Sequence, residues 1–303
     1  MTDGRISNFR QIASVRRYKI IEGREKGIDV IDCDTGKIRF LLNVTKGLDI
    51  MQVYHEGQNV SFLSKNAFIV DNPPFENRFE GGMLYTCGLD SMGGRDGYEI
   101  HGTYHKTVAD VTRAECTESG ITVEATIINS ALFGKNLVMK RRITADIGGE
   151  TIKLNDTLTN EAFVDGNYCV LYHVNLGYPM LDEGGKIVTD AASVTPRTPW
   201  AKEKFNEVFD ITAPLPAQEE TCYFIRLNKP EAAYINEKLG KKFLLKFSGN
   251  TLPCFVEWKS MASGDYALGL EPCSAELDGG FRYDTLPAKG SVDFELSLTV
   301  TRI

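Results

Sequence analysis

Four histidines, at positions 55, 101, 105 and 173, and a glutamate set among very small neighbours are the side chains of this 303-residue sequence best suited to moving protons. Histidine titrates near neutrality, so each is weighed as an acid or base. His173 lies in the run YCVLYHVNLGY, residues 168–178. Strand alternation there puts His173 and Asn175 on one face and Tyr172, Val174 and Leu176 on the other. Two readings stand side by side: a proton-transfer pair, or a core histidine satisfied by hydrogen bonds. Glu271 ends the run YALGLEP, residues 266–272, where Ala267, Gly269 and Glu271 share a face. A carboxylate beside two nearly absent side chains has room for a ligand and poor solvation, which raises its pKa toward general-base values. An exposed strand glutamate is the competing reading. His101 precedes Gly102, whose missing side chain permits close backbone approach. His101 and His105 are four apart, but the glutamate of the helical zinc motif is missing and Gly102-Thr103-Tyr104 favours strand or loop. No metal site is expected, and His105 reads as a rim or surface histidine. Glu257-Trp258-Lys259 offers an aromatic face flanked by both charges, which suits a sugar and equally an ordinary strand.

The elements that must carry these groups are strands. Residues 37–44, 121–127 and 292–300 alternate apolar and polar side chains, and 243–247 is a further short strand. Gly148-Gly149 between alternating flanks predicts a two-residue hairpin turn. Helical spacing is confined to short pieces at 200–209 and 230–239. The expected fold is all-β, a large antiparallel sandwich with a few short helices. With no linker or repeat in between, 1–303 reads as a single domain whose first 12 residues form a loose arm.

Composition narrows the function classes. Lys and Arg number 34 against 41 Asp and Glu, a net charge of −7, so a nucleic-acid partner is not expected. Neither G-x-G-x-x-G, nor a P-loop, nor a G-x-S-x-G elbow occurs, so no nucleotide cofactor is indicated. The first residues lack the apolar core of a secretory signal, and no apolar run is long enough to span a bilayer. The seven widely spaced cysteines fit free thiols in a reducing cytoplasm.

Six runs in order, KGLDI (46–50), EGGMLYTCGL (80–89), IHG (100–102), YHVNLG (172–177), EWK (257–259) and LEP (270–272), resemble the aldose 1-epimerase (galactose mutarotase) family. The whole chain is similar to its bacterial aldose-epimerase-like branch. The resemblance implies a galactose mutarotase-like supersandwich and cofactor-free interconversion of the anomers of a free aldose or sugar derivative. It implies that Glu271 takes the anomeric hydroxyl proton, His173 protonates the ring oxygen and His101 hydrogen-bonds the sugar nearby. Asp49, Asn175, Glu257, Trp258 and Lys259 are expected around the substrate, with Arg78 standing in for the family's binding arginine. The chain departs from the branch at Lys46 and Thr103, where the branch has arginine; lysine keeps the charge without the guanidinium fork and threonine keeps neither. Two other functions compete: a non-catalytic carbohydrate-binding sandwich, and a glycan hydrolase using Glu257 and Glu271 as its carboxylate pair.

Overall fold

A computed structural model of the chain describes residues 4–278 and 282–303. Of the expected loose arm, residues 1–3 lie outside the described residues, and Phe9–Gln11 forms a short turn capped by Asn8. Five strands come first: β1 (Ser14–Lys19), β2 (Asp29–Asp34), β3 (Ile38–Asn43), β4 (Asp49–His55) and β5 (Gln58–Asn59). They form an antiparallel sheet in sequence order. The one-turn helix α1 (Phe75–Arg78) then leads to β6 (Leu84–Leu89), β7 (Asp110–Thr117), β8 (Gly120–Ser130), β9 (Asn136–Ala145), β10 (Thr151–Asn160), β11 (Gly166–Leu176) and β12 (Lys186–Pro196). After α2 (Pro199–Glu203) come β13 (Thr221–Asn236), β14 (Lys241–Phe247), β15 (Cys254–Ala262), β16 (Asp265–Cys273), β17 (Asp284–Leu286) and β18 (Ser291–Arg302). These thirteen strands make the second sheet, in the order β17-β11-β16-β15-β13-β14-β18-β10-β9-β8-β7, with β12 on β13 and β6 on β11.

Alternation explains how the two sheets meet. Ile31, Phe40, Leu42 and Val53 of the small sheet share one core with Val123, Ile127, Met139, Ile143, Leu154 and Leu298 of the large one. The opposite face of β6, β11, β15 and β16 carries a second cluster, including Tyr85, Cys87, Cys169, Leu171, Val256 and Cys273. That second face holds the cavity.

Two local expectations are corrected. Residues 230–239 are not helical; 221–236 is one long strand. Pairing to β15 over 221–225 and to β14 over 231–236 supplies backbone partners that override local helix preference. Pro230, which has no N–H to donate, sits where β13 changes neighbours. The turn at Gly148-Gly149 is wider than two residues, because β9 ends at Ala145 and β10 starts at Thr151. Its extra backbone is tied to the small sheet: Gly148 N–H donates to the Thr35 carbonyl at 2.7 Å and Thr35 Oγ1 to the Gly149 carbonyl at 2.9 Å.

Between the sheets lies a buried polar network centred on Arg141. Its Nε and Nη2 donate to Asp156 at 2.9 and 2.7 Å, Nη1 to Asp49 at 2.6 Å and to the Gly47 carbonyl at 3.1 Å, and Nη2 also to Thr86 Oγ1 at 3.0 Å. Every guanidinium donor is thereby used. Tyr172 donates to Asp156 at 2.8 Å, and the Thr86 N–H and hydroxyl both donate to Asp49. Arg141→Met keeps the side-chain bulk but leaves buried Asp156 without a cation and Asp49 with His105 alone. The expected loss is about 3–5 kcal/mol of unfolding free energy in urea at pH 7. A loss below about 1 kcal/mol would show that the network does not hold the sheets together.

Candidate active site

The catalytic candidates meet because of strand register. On β11 and β16, Leu171 pairs with Cys273 and Val174 with Leu270, which sets His173 beside Glu271. Glu271 in turn faces Val256 on β15, and His173 faces Tyr85 on β6. His173 Nε2 lies 3.1 Å from Glu271 Oε1, and both side chains are almost completely buried. Gly269 makes this contact possible. A Cβ built there would collide with Glu271 Oε1 and lie 3.0 Å from His173 Cε1 and 3.3 Å from Trp258 Cβ.

His101 reaches the same spot from a loop. Its φ is +62° and that of Gly102 is +75°. A side chain at Gly102 would run into the carbonyl oxygens of Gly88 and Ser91, so two successive left-handed residues turn the chain back onto β6. The backbone is clamped by Gly88 N–H to the His101 carbonyl at 3.0 Å and Gly102 N–H to the Glu99 carbonyl at 2.9 Å. The His101 ring stands edge-on to His173 at 5.8 Å between centroids and lies 4.9 Å from Phe75.

The three groups open onto a cavity of about 670 Å³. Phe62, Phe75, Phe79 and Trp258 supply aromatic wall, with Phe79 and Trp258 at 5.6 and 5.4 Å from the His173 ring. Trp258 Nε1 donates to Glu220 Oε2 at 2.7 Å, which fixes the indole. Among the described residues two cations line the cavity, and each already has a carboxylate: Arg197 forks onto Asp278 at 2.8 and 3.1 Å, and Lys65 meets Asp265 at 2.7 Å.

Burial dominates the electrostatics. It raises Glu271 well above the ordinary carboxylate range, Glu220 adds to the rise, and Arg197 opposes it. It lowers His173 to about 3, helped by His101 and opposed by Asn175. It lowers His101 to about 4, with the Met92 backbone opposing. Both shifts favour the neutral forms, a neutral imidazole facing a protonated carboxyl, the reverse of the ionised glutamate and protonated histidine that the family resemblance implies. Asn175 fits this state. Its amide donates to the carbonyls of Gly82 at 3.1 Å and His173 at 2.9 Å, while Asn175 Oδ1 and His173 Nδ1 are both buried without a partner. A His173 tautomer protonated on Nδ1 complements Oδ1 and leaves the Nε2 lone pair toward Glu271.

Of the nine residues expected at the site, Glu271, His173, His101 and Trp258 line the cavity. The other five do not. Glu257 and Lys259 are out of phase with Trp258 on β15 and point to the core side, 3.3 Å from each other. Lys259 Nζ donates to the carbonyls of Glu207, Val208 and Asp210. Glu257 and Glu271 thus lie on opposite faces of the sheet and cannot form the carboxylate pair of a hydrolase. Asp49 belongs to the Arg141 network. Arg78 is buried behind Phe75, donating to Tyr85 at 2.6 Å and to Glu99 at 2.8 Å. Asn175 donates to the backbone carbonyls of His173 and Gly82. His105, read as a rim residue, is buried between Glu80 at 2.8 Å and Asp49 at 3.1 Å with Tyr85 stacked on it at 3.6 Å. Burial alone would lower its pKa, but the two carboxylates overcome this and raise it. Neither Lys46 nor Thr103 lines the cavity. Phe75, Phe79, Arg197 and Glu220 were not singled out in the sequence. Phe75 and Phe79 do carry a signal, two aromatics four apart just after Pro73-Pro74, one face of a helical turn.

A family model described as a domain of unknown function (DUF4432) matches residues 25–283. No curated protein matches the chain. Among solved structures, a protein of Klebsiella pneumoniae subsp. pneumoniae, provisionally named an aldose 1-epimerase, superposes with a TM-score of 0.87 at 22% identity, covering 97% of this chain and 86% of its own. A galactose mutarotase-like protein of Clostridium acetobutylicum superposes at 0.73 with 13% identity, over 97% of this chain and all 100% of that one. A galactose mutarotase-like protein of Lactobacillus casei does so at 0.64 with 13% identity, over 90% and 100%. The fold is galactose mutarotase-like, and identities this low carry the fold without the reaction.

The histidines should separate by nuclear magnetic resonance of their ring nitrogens. His101 and His173 are expected neutral from pH 8 down to 5, and His105 is expected to hold its proton to a higher pH than an ordinary imidazole. Because folding lowers the first two below the unfolded value near 6.5, their stability contribution is complete above that pH and is lost as pH falls toward about 4 and 3. Because folding raises His105, its contribution is complete below 6.5 and is lost as pH rises through its folded value. A His173 titration near 6.5 in the folded protein would contradict the neutral pair.

Proposed function

The chain belongs to the family described as a domain of unknown function (DUF4432), and we propose that its cavity binds a free, uncharged aldose or sugar derivative and interconverts its anomers by opening and closing the ring. The observation that carries this reading is the buried His173–Glu271 contact at 3.1 Å on the floor of an aromatic-walled cavity. Mutarotation needs one proton removed from the anomeric hydroxyl and one delivered to the ring oxygen, both bound to the same carbon. One acid and one base side by side suffice, each worth about 10²–10⁴-fold.

In the resting polarity Glu271 is the acid and His173 Nε2 the base. As the hydroxyl proton passes to His173 and the Glu271 proton to the ring oxygen, the C1–ring-oxygen bond breaks and a carbonyl forms at C1. The pair is then an imidazolium beside a carboxylate, two charges that stabilise each other. Rotation about C1–C2 and the reverse transfers close the other anomer and restore the neutral pair. The opposite polarity, ionised Glu271 with protonated His173, opens a ring only for a sugar turned so that the anomeric hydroxyl faces Glu271 and the ring oxygen faces His173. His101, held neutral, offers a hydrogen bond to the sugar without adding charge. Trp258 and Phe79 give the sugar's C–H face an apolar wall. The engagement of both Arg197 and Lys65 by carboxylates favours an uncharged substrate over a phosphorylated one.

Saturation-transfer magnetic resonance over a panel of aldoses is the direct test. Wild type is expected to accelerate anomer exchange of at least one sugar, and Glu271→Gln and His173→Asn each to slow it by about 10²-fold or more. The double variant should be little slower than either single one, because the two act as a unit. Sugar binding with no accelerated exchange across the panel would replace this reading with a carbohydrate-binding role.

A further inference from the structure

One same-face step along β16 from Glu271 is Cys273, and the register sets Cys254 of β15 directly opposite it. Directly opposed residues of an antiparallel pair have Cα atoms about 4.5–5.5 Å apart. That lies inside the roughly 4.4–6.8 Å that a disulfide spans. Both side chains face a second cavity of about 230 Å³, which Ser193, Thr195, Phe224 and Arg226 also line. Cys254 is half-buried and Cys273 buried. Arg226 Nη1 lies 3.9 Å from Cys254 Sγ, and the same guanidinium is held by an ion pair with Glu276. Opposed sulfurs, a cation on the outer one and an opening beside it are the elements of a reactive thiol with its resolving partner.

We infer that Cys254 and Cys273 form an oxidation site for hydrogen peroxide, with Cys254 attacking and Cys273 closing a cross-strand disulfide. The Cys254 thiolate attacks one peroxide oxygen; the S–O bond forms, the O–O bond breaks, and the departing hydroxide takes a proton to become water. Cys254 sulfur loses two electrons to the peroxide. The Cys273 sulfur then attacks Cys254, the S–S bond forms, the S–O bond breaks, and the hydroxyl leaves as water with the Cys273 proton. Two thiols and one peroxide thus yield one disulfide and two waters.

The thiol electrostatics agree with this division. The Cys273 hydrogen bond holds Cys254 down to about 7, burial opposes, and Arg226 assists. Cys116, the other half-buried cysteine, is raised by burial and serves as an internal control. At pH 7 a thiol with that pKa is half ionised, against about 1% or less for Cys116. After allowance for the weaker nucleophilicity of the more acidic thiol, Cys254 should react at least about fivefold faster.

The test uses the unmodified full chain at pH 7. Limiting iodoacetamide followed by peptide mass mapping is expected to label Cys254 at least about fivefold faster than Cys116. Stoichiometric hydrogen peroxide is expected to remove two thiols, to yield a Cys254–Cys273 linked peptide two hydrogens lighter, and to be reversed by dithiothreitol. In Cys273→Ser, dimedone should trap a sulfenic acid on Cys254. Equal labelling of Cys254 and Cys116, or peroxide treatment that leaves both Cys254 and Cys273 as thiols, overturns the proposal. None of these readouts needs a sugar, so they are independent of the reaction proposed for the larger cavity.

Discussion

A buried guanidinium must find a partner for every N–H it carries, and at Arg141 this requirement fixes the positions of five strands at once. Asp49 on β4, Thr86 on β6, Asp156 on β10 and, through Asp156, Tyr172 on β11 converge on the one side chain from β9. Such a network specifies one arrangement of the sheets, since a shift of any strand strands a charge without a partner. Thr86 and Tyr172 are the chain neighbours of Tyr85 and His173, which face the other way. The charged network therefore sets the height and register of the cavity floor from behind, without sending a charge through it.

This back-to-front division governs the acidities. On the network side His105 lies between Glu80 and Asp49, and the two carboxylates raise its pKa against burial. On the cavity side, His173 and Glu271 meet mainly burial, and both are driven toward their neutral forms. One proton is left for two sites that can each hold it, which is the condition for shuttling it.

Much of this was legible in the sequence, because period-two alternation is a local signal. Strands β3, β8 and β18, and the shared faces of His173 with Asn175 and of Glu271 with Gly269, follow from alternation alone. The same rule, applied more strictly, separates Trp258 from Glu257 and Lys259, since a strand cannot point three successive side chains into one cavity. Residues 230–236 were misread as helix because the cause of their extended form is non-local: β12 and β14 supply the pairing. Asp49 and His105 could not be placed without Arg141, which is 92 residues from the first. Arg197 and Glu220 join the cavity from opposite ends of the connection between β12 and β13 and carry no local mark of it.

The register that sets His173 beside Glu271 makes the sheet itself a ruler for the pair. The separation of acid and base is an interstrand spacing, fixed by backbone hydrogen bonds to within a few tenths of an ångström, and no loop has to be ordered to create it. What surrounds that fixed gauge is far less constrained: Phe75 and Phe79 on and beside a single helical turn, Lys65 in a loop, and Arg197 at the end of a strand. A scaffold divided in this way can exchange its rim residues, and with them the ligands that fit the cavity, while the spacing between His173 and Glu271 is inherited unchanged.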